Sequence, residues 1–399
     1  MSLEERVAEY MRDLTAFPDR HVGGPGNRAA TAMFAERVAS FGFEVARTEF
    51  DCLGWTHGEA VLEAAGEGFD VHVGPYSPPL DIVAPLITVS TVEQLEHESV
   101  RGAIVLLNGA IAAGQVMPRN FRFYNPDSHQ RIIRALDTFA PAAVVGATGR
   151  DPSMVGSQYP FPLFEDGDLG LPSAYMTEEE GERLLAHVGR PVRLRLDSDR
   201  IAATAEHVVA RRAGDRPGRI VVSAHIDSRQ GSPGALDNAS GVATLLGLAE
   251  LLADRAGGHT VDLVPFNGED NYANPGELMW IDENEGRWDE IVLGINIDDS
   301  GQVGAINHVS FYDTPSEIEA AVRDAMGQYP GIAEGPRWLQ GDHGIFTMYG
   351  RPAIAIASSE MVEFMARYAH TERDTIDLAD PALIAQTAHF VADVIASLG

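Results

Sequence analysis

Apolar residues recur at helical spacing in two groups near the start of the chain. The first group is Leu3, Val7, Tyr10, Met11 and Leu14, and the second is Ala30, Met33, Phe34, Val38 and Phe41. Residues three and four apart share one face of a helix, so both groups predict amphipathic helices. The glycine- and proline-rich segment 23–26 separates the two helices. Gly42 ends the second helix, and residues 43–50 alternate as a strand does.

From Arg219 onward the pattern alternates between strand, loop and helix. Short apolar runs predict strands at 220–224, 261–266, 292–297, 309–312 and 353–357, and longer periodic segments predict helices at 240–253, 315–326 and 381–398. Such alternation is typical of an α/β fold with a mostly parallel central sheet covered by helices. In sheets of this kind, ligands bind beyond the carboxyl ends of the strands.

The intervening segment, residues 53–205, has a different pattern. Its apolar runs are short and β-like, at 104–107, 143–145 and 192–196, and proline and glycine turns separate them. A chain of 399 residues is also too long for one ordinary core. We therefore expect a discontinuous main domain, residues 1–52 and 206–399, with a β-rich domain inserted at 53–205.

The composition, with 45% hydrophobic residues, is that of a globular protein, and the chain has no run of roughly 18 apolar residues that would predict a membrane span. The first residues, Met1 to Arg6, are acidic where a secretory signal needs a basic start and an apolar run. The chain is therefore expected to be cytoplasmic, or secreted if a signal peptide has been removed.

The formal net charge is -30, from 59 acidic and 29 basic residues, and every basic residue is an arginine. This acidic balance disfavours nucleic acid and anionic membranes as partners. An acidic chain without lysine suits solubility in concentrated salt, and GC-rich codon usage accounts for the missing lysine equally well. Cys52 is the only cysteine, which excludes an intramolecular disulfide and a thiolate metal site, so any metal must be held by His, Asp and Glu.

Candidate metal ligands begin at the end of the predicted strand 220–224. His225 and Asp227 follow this strand, and Asp237 lies on a glycine-bounded turn before the next helix. In an extended His-x-Asp segment the two side chains share a face. Asp227 is therefore expected to accept the proton of one ring nitrogen of His225, which leaves the other nitrogen for a metal. Asp237 is in a position to bridge two cations.

Acidic residues also follow the next two predicted strands. Glu269 and Asp270 come after 261–266, and Asp298 comes after 292–297. Neighbouring residues of an extended chain point in opposite directions, so one carboxylate of the first pair can bind a metal while the other faces a substrate.

His370 supplies a second imidazole near the last helix. Carboxylates and two imidazoles without sulfur favour zinc, with cobalt or manganese as substitutes. In two-metal sites the ions lie about 3.5–4 Å apart, activate a water molecule and polarise the scissile carbonyl.

These motifs together resemble the series that marks metallopeptidase family twenty-eight. In family order they are His225-x-Asp227, Gly-Ala-x-Asp237-Asn-x-Ser-Gly, Glu269-Asp270, Asn296-x-Asp298 and His370-Thr-x-x-Asp374-Thr. Each motif alone is weak, whereas their joint occurrence over residues 220–375 is specific. The family includes bacterial aminopeptidases, glutamate carboxypeptidase, mono-zinc glutaminyl cyclases and the metal-free ectodomain of the transferrin receptor.

The resemblance implies a peptidase with two zinc ions per chain. In the implied arrangement each zinc takes one imidazole and one carboxylate, and a further carboxylate bridges the ions: His225 with Asp298, His370 with Asp270, and Asp237 as the bridge. Glu269 would be the general base and would later protonate the leaving amine. The resemblance also implies a cis peptide bond between Asp237 and Asn238.

Three further segments bear on the comparison with the family. Gly341 stands where the family's Ser-Asp-His loop has serine, and segment 271–276 is not the usual glycine-rich continuation, so the substrate pocket is expected to differ there. Segment 53–205 resembles, more loosely, the protease-associated domain of some members. Such a domain would either restrict access to the site or mediate a homodimer, and the sequence leaves both open.

Each of these residues also has a structural interpretation. A lone histidine at a strand end is more often hydrogen-bonded than metal-bound, Asp237 would suit a helix N-cap, and solvated acids are common in so acidic a chain. Joint occurrence at successive strand ends favours the metal site.

The predicted function is hydrolysis of a terminal peptide bond in a peptide or a small amino-acid-derived substrate. An aminopeptidase is favoured over a carboxypeptidase or an N-acyl amino acid hydrolase. A glutaminyl cyclase-like transferase would hold one zinc per chain, and a non-catalytic binding module would hold none.

Overall fold

The structure is a computed structural model that describes residues 1–122, 124–151, 155–255, 257–271 and 274–399. The α-helices of these residues are α1 (Leu3–Ala16), α2 (Pro25–Ser40), α3 (Val92–His97), α4 (Asp127–Phe139), α5 (Glu178–Leu184), α6 (Ser240–Leu251), α7 (Pro275–Glu283), α8 (Ser316–Met326), α9 (His343–Met348), α10 (Met361–Arg367) and α11 (Pro381–Leu398). The strands are β1 (Glu44–Ala64), β2 (Glu67–Phe69), β3 (His72–Val73), β4 (Leu80–Val89), β5 (Ile104–Leu107), β6 (Ala143–Thr148), β7 (Ser173–Thr177), β8 (Pro191–Arg212), β9 (Arg216–His225), β10 (His259–Phe266), β11 (Ile291–Ile297), β12 (Asn307–Tyr312), β13 (Ile332–Glu334) and β14 (Ala353–Ser358).

The chain divides into two compact units. The first unit comprises Met1–Cys52 and Thr204–Gly399, and the second comprises Leu53–Ala203. Strands β1 and β8 each have residues in both units. All the residues proposed above as ligands or base belong to the first unit.

The sheet of the first unit has the order β13-β12-β14-β11-β9-β10-β8. Strands β14, β11, β9 and β10 run parallel to their neighbours within that group, and β13 is parallel to β12. Strands β12 and β8 pair antiparallel with β14 and β10. The predicted α/β class with a mostly parallel sheet is confirmed, because the alternating strands and helices from Arg219 onward do form such a sheet.

Helix α1 is stabilised by hydrogen bonds at its first turn and by a buried apolar face. Ser2 accepts the backbone N–H of Glu5, and the Glu5 side chain accepts the N–H of Ser2, which together satisfy the free donors of the first turn. The predicted apolar face is buried in one core with β9, α6 and α11: Leu3, Val7, Tyr10, Met11 and Leu14. Helix α6 is buried on nearly every side and fills the space under β9.

Helix α11 is the one helix of the described residues that is long and apolar enough to cross a membrane by length and composition. Half of its residues are buried, and it packs against α1 and α6 within the core of the first unit. Core helices of globular proteins commonly have this composition.

The second unit contains many strands, as its sequence predicted, together with helices that were not predicted. Its sheet has the order β8-β4-β5-β6-β7-β3, and β4, β5, β6 and β7 are parallel neighbours. Helices α3, α4 and α5 alternate with these strands, so the unit is itself mixed α/β. The short apolar runs did predict β5, β6 and β8, whereas α4 was not predicted although its buried Ile132, Ile133 and Leu136 have helical spacing. The likeness to a protease-associated domain stays a prediction.

Candidate metal centre

The carboxyl ends of three parallel strands bring the predicted ligands to one edge of the sheet. Strand β9 ends at His225, whose register partner on β10 is the last residue, Phe266. On the other side of β9, Ser223 pairs with Asn296 of β11. The residues that follow β10 and β11 therefore emerge beside His225.

Asp237 lies between the two imidazoles. Its Oδ1 is 3.0 Å from Nε2 of His225, and its Oδ2 is 3.2 Å from Nε2 of His370. Each imidazole has one further carboxylate, since Nε2 of His225 is 3.4 Å from Oδ1 of Asp298 and Nε2 of His370 is 3.2 Å from Oδ1 of Asp270. The five side chains thus form two groups of three that share Asp237.

These separations are compatible with metal coordination as well as with direct ion pairs. Two ligands at about 2.0 Å from one tetrahedral ion lie roughly 3.3 Å apart, close to the four distances above. Nε2 of His225 and Oδ2 of Asp270 are buried and have no hydrogen-bond partner, as expected of atoms that a metal would satisfy. Ligand atoms of His225, Asp237 and Asp270 lie within 4.8 Å of one another. Imidazole nitrogen and carboxylate oxygen are both ligands that zinc accepts.

Without a metal, the charges of the site stabilise one another. Burial alone would lower the pKa of His370, but the carboxylates of Asp270 and Asp237 outweigh burial and raise the pKa to about 10. The pKa of His225 is raised in the same way against its burial, chiefly by Asp298. Burial would raise the pKa of Asp237, but its close contacts with the two imidazoles lower it. A cation would therefore have to displace the imidazole protons, so metal binding is expected to release protons.

Asp227 organises the loop that carries Glu269 and Asp270. Its Oδ1 accepts the backbone N–H groups of Gly268 at 2.8 Å and Glu269 at 3.2 Å, and its Oδ2 accepts that of Asp270 at 3.1 Å. Oδ1 also lies 3.6 Å from Nδ1 of His225, which is an ion-pair contact longer than a hydrogen bond. The three backbone hydrogen bonds were not anticipated from the His-x-Asp spacing.

Glu269 borders the two groups without joining either. Its Oε2 is 4.0 Å from Nε2 of His225, and its side chain is 27% exposed, more than the buried ligands around it. Burial raises its pKa well above the usual value, with added repulsion from Asp298 and Asp342. A partly exposed carboxylate next to a metal site has the placement that a general base needs.

The cis peptide bond implied by the resemblance is present between Asp237 and Asn238. Nδ2 of Asn238 donates to the carbonyl of Ile297 at 2.9 Å, and Oδ1 accepts the N–H of Gly241 at 2.9 Å. A Cβ at Gly241 would lie 2.6 Å from that carbonyl, so only glycine allows α6 to approach β11 so closely.

Asp374, which belongs to the last motif of the series, and Asp299 are buried close to Asp237. Asp374 accepts the N–H groups of Leu236 at 2.9 Å and Asp237 at 3.1 Å. One carboxylate oxygen of Asp299 lies close to those of Asp237 and Asp298.

Two further acids, Glu277 and Asp342, are buried behind Glu269, and burial raises the pKa of each well above its usual value. Asp342 belongs to the loop in which Gly341 replaces serine. Of the divergent segment 271–276, residues 272 and 273 lie outside the described residues.

Comparisons with known proteins found similar sequences and structures. A sequence model of peptidase family M28 matches residues 207–395. Among curated proteins, the probable lipoprotein aminopeptidase LpqL of Mycobacterium tuberculosis is 24% identical over 246 residues, which are 59% of this chain and 45% of LpqL. The chain therefore spans about half the length of that relative.

Two solved structures share the fold over 98% of this chain. The aminopeptidase from Aneurinibacillus sp. strain AM-1 has a TM-score of 0.77 and 20% identity, with 93% of that chain covered. A zinc aminopeptidase from Bacillus subtilis has a TM-score of 0.73 and 18% identity, with 94% covered. At these identities the likeness shows the fold alone.

Proposed function

We propose that this chain, whose residues 207–395 belong to peptidase family M28, is a zinc-dependent aminopeptidase that removes residues from the amino terminus of peptides. The observation that carries the proposal is the position of Asp237, whose two carboxylate oxygens each face a different imidazole. A carboxylate shared in this way suits a pair of cations, because each ion needs its own imidazole and both can use the bridge.

Two zinc ions per chain would be held by residues of the first unit. One ion would take His225, Asp298 and one oxygen of Asp237, and the other would take His370, Asp270 and the second oxygen. The unpartnered nitrogen of His225 and oxygen of Asp270 support this assignment. When bound, zinc supplies a Lewis acid for the peptide carbonyl and lowers the pKa of a water molecule.

Glu269 would move the proton during hydrolysis. Its carboxylate accepts a proton from the attacking water, whose oxygen forms a bond to the peptide carbonyl carbon. As the carbon–nitrogen bond breaks, Glu269 returns the proton to the leaving amine nitrogen. Asp227 holds the backbone N–H of Glu269, so it fixes the direction from which this carboxylate faces the substrate.

The acidic surroundings support a free amino terminus as the group that is recognised. Asp270 and Asp237 carry negative charge that raises the pKa of His370, whereas burial raises the pKa of Glu269, Asp299 and Asp342 and favours their neutral forms. An α-ammonium is attracted by such a field, whereas an α-carboxylate is repelled. The aminopeptidases to which the chain is similar favour the same choice.

The test is a metal and substrate profile of the purified protein. Metal content by mass spectrometry should give two zinc ions per chain. Amino-acid p-nitroanilides should be cleaved, and their N-acetylated counterparts and peptides with a blocked amino terminus should not. Cleavage of the N-acetylated compounds at an equal rate would overturn the aminopeptidase assignment, and a zinc-free active protein would overturn the mechanism.

The glutaminyl cyclase-like alternative is separated by the same measurements. A cyclase would hold one zinc per chain and would convert amino-terminal glutamine to pyroglutamate without cleaving the following bond. The second imidazole group, His370 with Asp270, favours the two-zinc peptidase.

A further inference from the structure

Arg20 reaches the metal centre from the opening segment, outside the part of the chain that matches the family. It lies between α1 and α2 and is only 1% exposed. Its guanidinium donates to the carbonyls of Pro233 at 2.7 Å, Gly234 at 2.8 Å and Ile226 at 3.2 Å, and also to that of Leu14 at 3.3 Å.

The first three acceptors belong to the two loops that carry the ligands. Ile226 lies between His225 and Asp227, and residues 233–234 lead directly into Asp237. A single planar group therefore fixes the distance between these loops. Arginine suits this role because its guanidinium donates in several fixed directions at once.

Asp374 bonds to the N–H groups of the same loop, whereas Arg20 bonds to its carbonyls. Its side chain accepts the N–H groups of Leu236 and Asp237, and its backbone carbonyl accepts that of Ala235 at 3.3 Å. The carbonyls of residues 233 and 234 thus bond to the buried guanidinium of Arg20, and the N–H groups of residues 235–237 bond to the buried Asp374. This double attachment leaves the backbone before Asp237 little freedom to rotate its carboxylate.

We propose that Arg20 is a positioning residue for the metal centre, which sets the orientation of Asp237 relative to His225 through the carbonyls of residues 226, 233 and 234. The inference deepens the proposed function and rests on it, since the positioned carboxylate is the one assigned to bridge the ions. Residues that orient metal ligands without touching the metal commonly change metal affinity about 10- to 100-fold.

The chain offers a matched control in Arg219. It is also buried, 4% exposed, and bonded to the carboxylate of Asp262 at 2.9 Å, but it lies near the start of β9, at the opposite end of that strand from His225. Arg219→Ala removes a buried guanidinium without touching either ligand loop. It should therefore lower thermal stability while leaving zinc binding unchanged.

The experiment compares zinc affinity in wild type, Arg20→Ala, Arg20→Lys and Arg219→Ala. Arg20→Ala should bind zinc about 10- to 100-fold more weakly, and guanidinium chloride below denaturing concentration should restore much of the binding where the same concentration of sodium chloride does not. Arg20→Lys retains the charge and part of the hydrogen bonding, so its zinc affinity should lie between those of wild type and Arg20→Ala. It provides the test if the alanine variant does not fold.

Hydrogen exchange of the metal-free proteins gives a readout independent of zinc. The amides of Ala235, Leu236 and Asp237 should exchange at least about tenfold faster in Arg20→Ala than in wild type, and at the wild-type rate in Arg219→Ala. Wild-type zinc affinity and wild-type exchange in Arg20→Ala, or an equal loss in Arg219→Ala, would overturn the positioning role. A wild-type protein that binds no zinc but shows the exchange difference would instead overturn the proposed function alone.

Discussion

The backbone N–H of Glu269 donates a hydrogen bond of 3.2 Å to Oδ1 of Asp227, a carboxylate that is not itself a proposed metal ligand. The same carboxylate accepts the N–H groups of Gly268 and Asp270. The proposed base and one proposed ligand therefore share a single buried anchor. Movement of that anchor would displace both side chains together.

Asp227→Asn tests this anchor. Asparagine keeps one oxygen that can accept hydrogen bonds, but its amide nitrogen can only donate. At least one of the three backbone N–H groups that now bond to Asp227 therefore loses its acceptor. We expect kcat to fall about 10- to 100-fold with a smaller change in KM. Steady-state kinetics on an amino-acid p-nitroanilide measure both quantities.

The control for that variant is Asp262→Asn, which alters a carboxylate of equal burial that bonds to Arg211 and Arg219 away from the site. It should lose stability and retain kcat. An equal loss of kcat in the two variants would mean that Asp227 acts on stability alone.

Glu269→Gln removes the proposed base while keeping the shape of the side chain. The expected result is a fall in kcat of about 10²- to 10⁴-fold, because glutamine cannot carry the proton from water to the leaving amine. Zinc content should not change, since Glu269 lies outside both ligand groups. Glu283→Gln, at the exposed end of α7, is the matched control. Full activity of Glu269→Gln would exclude it as the base.

His370→Ala and Asp237→Ala separate the two ligand groups. Loss of His370 leaves His225, Asp237 and Asp298 together, so one zinc per chain should remain. Loss of Asp237 removes a ligand from both groups and should weaken both ions. Zinc per chain after dialysis measures the difference, with the exposed His389→Ala as control. Equal zinc loss in the two variants would contradict Asp237 as the shared ligand.

His207 makes stability depend on pH. It is buried, stacks on Phe266, and has a pKa that burial lowers to about 4 from the ordinary 6.5. The unfolded chain binds a proton at His207 more readily than the folded chain does. Acid therefore destabilises the folded protein through this residue: the effect is absent above pH 6.5 and grows as the pH falls towards 4. The full loss corresponds to about 3 kcal/mol.

Urea unfolding of zinc-loaded wild type and His207→Leu between pH 7 and 4.5 checks this prediction. The free energy of unfolding should fall more steeply with acid in wild type than in the variant. If the free energy of unfolding had the same pH dependence in both proteins, His207 would not be the residue that takes up a proton on unfolding.

The sequence predicted the sheet of the first unit well, because its signals are local. Apolar runs bounded by turns gave β9, β10, β11, β12 and β14 within a few residues of their observed bounds. In the second unit the same approach found strands and missed α3, α4 and α5. Helices α3 and α5 have only 6 and 7 residues, and tertiary packing stabilises helices as short as these. The apolar spacing of the longer α4 is present in the sequence but was not recognised as a helix.

The order of the residues specifies which side chains follow the strands, and parallel strands bring their carboxyl ends to one edge of the sheet. How these side chains meet depends on tertiary packing: Asp237 lies between two imidazoles, Asp227 bonds to the backbone of 268–270, and Arg20 bonds to carbonyls more than 200 positions away in the chain. The physical reason is distance along the chain. Local pattern fixes helices and strands, whereas the partner of a buried charge is chosen by the packing of segments that no sequence period connects.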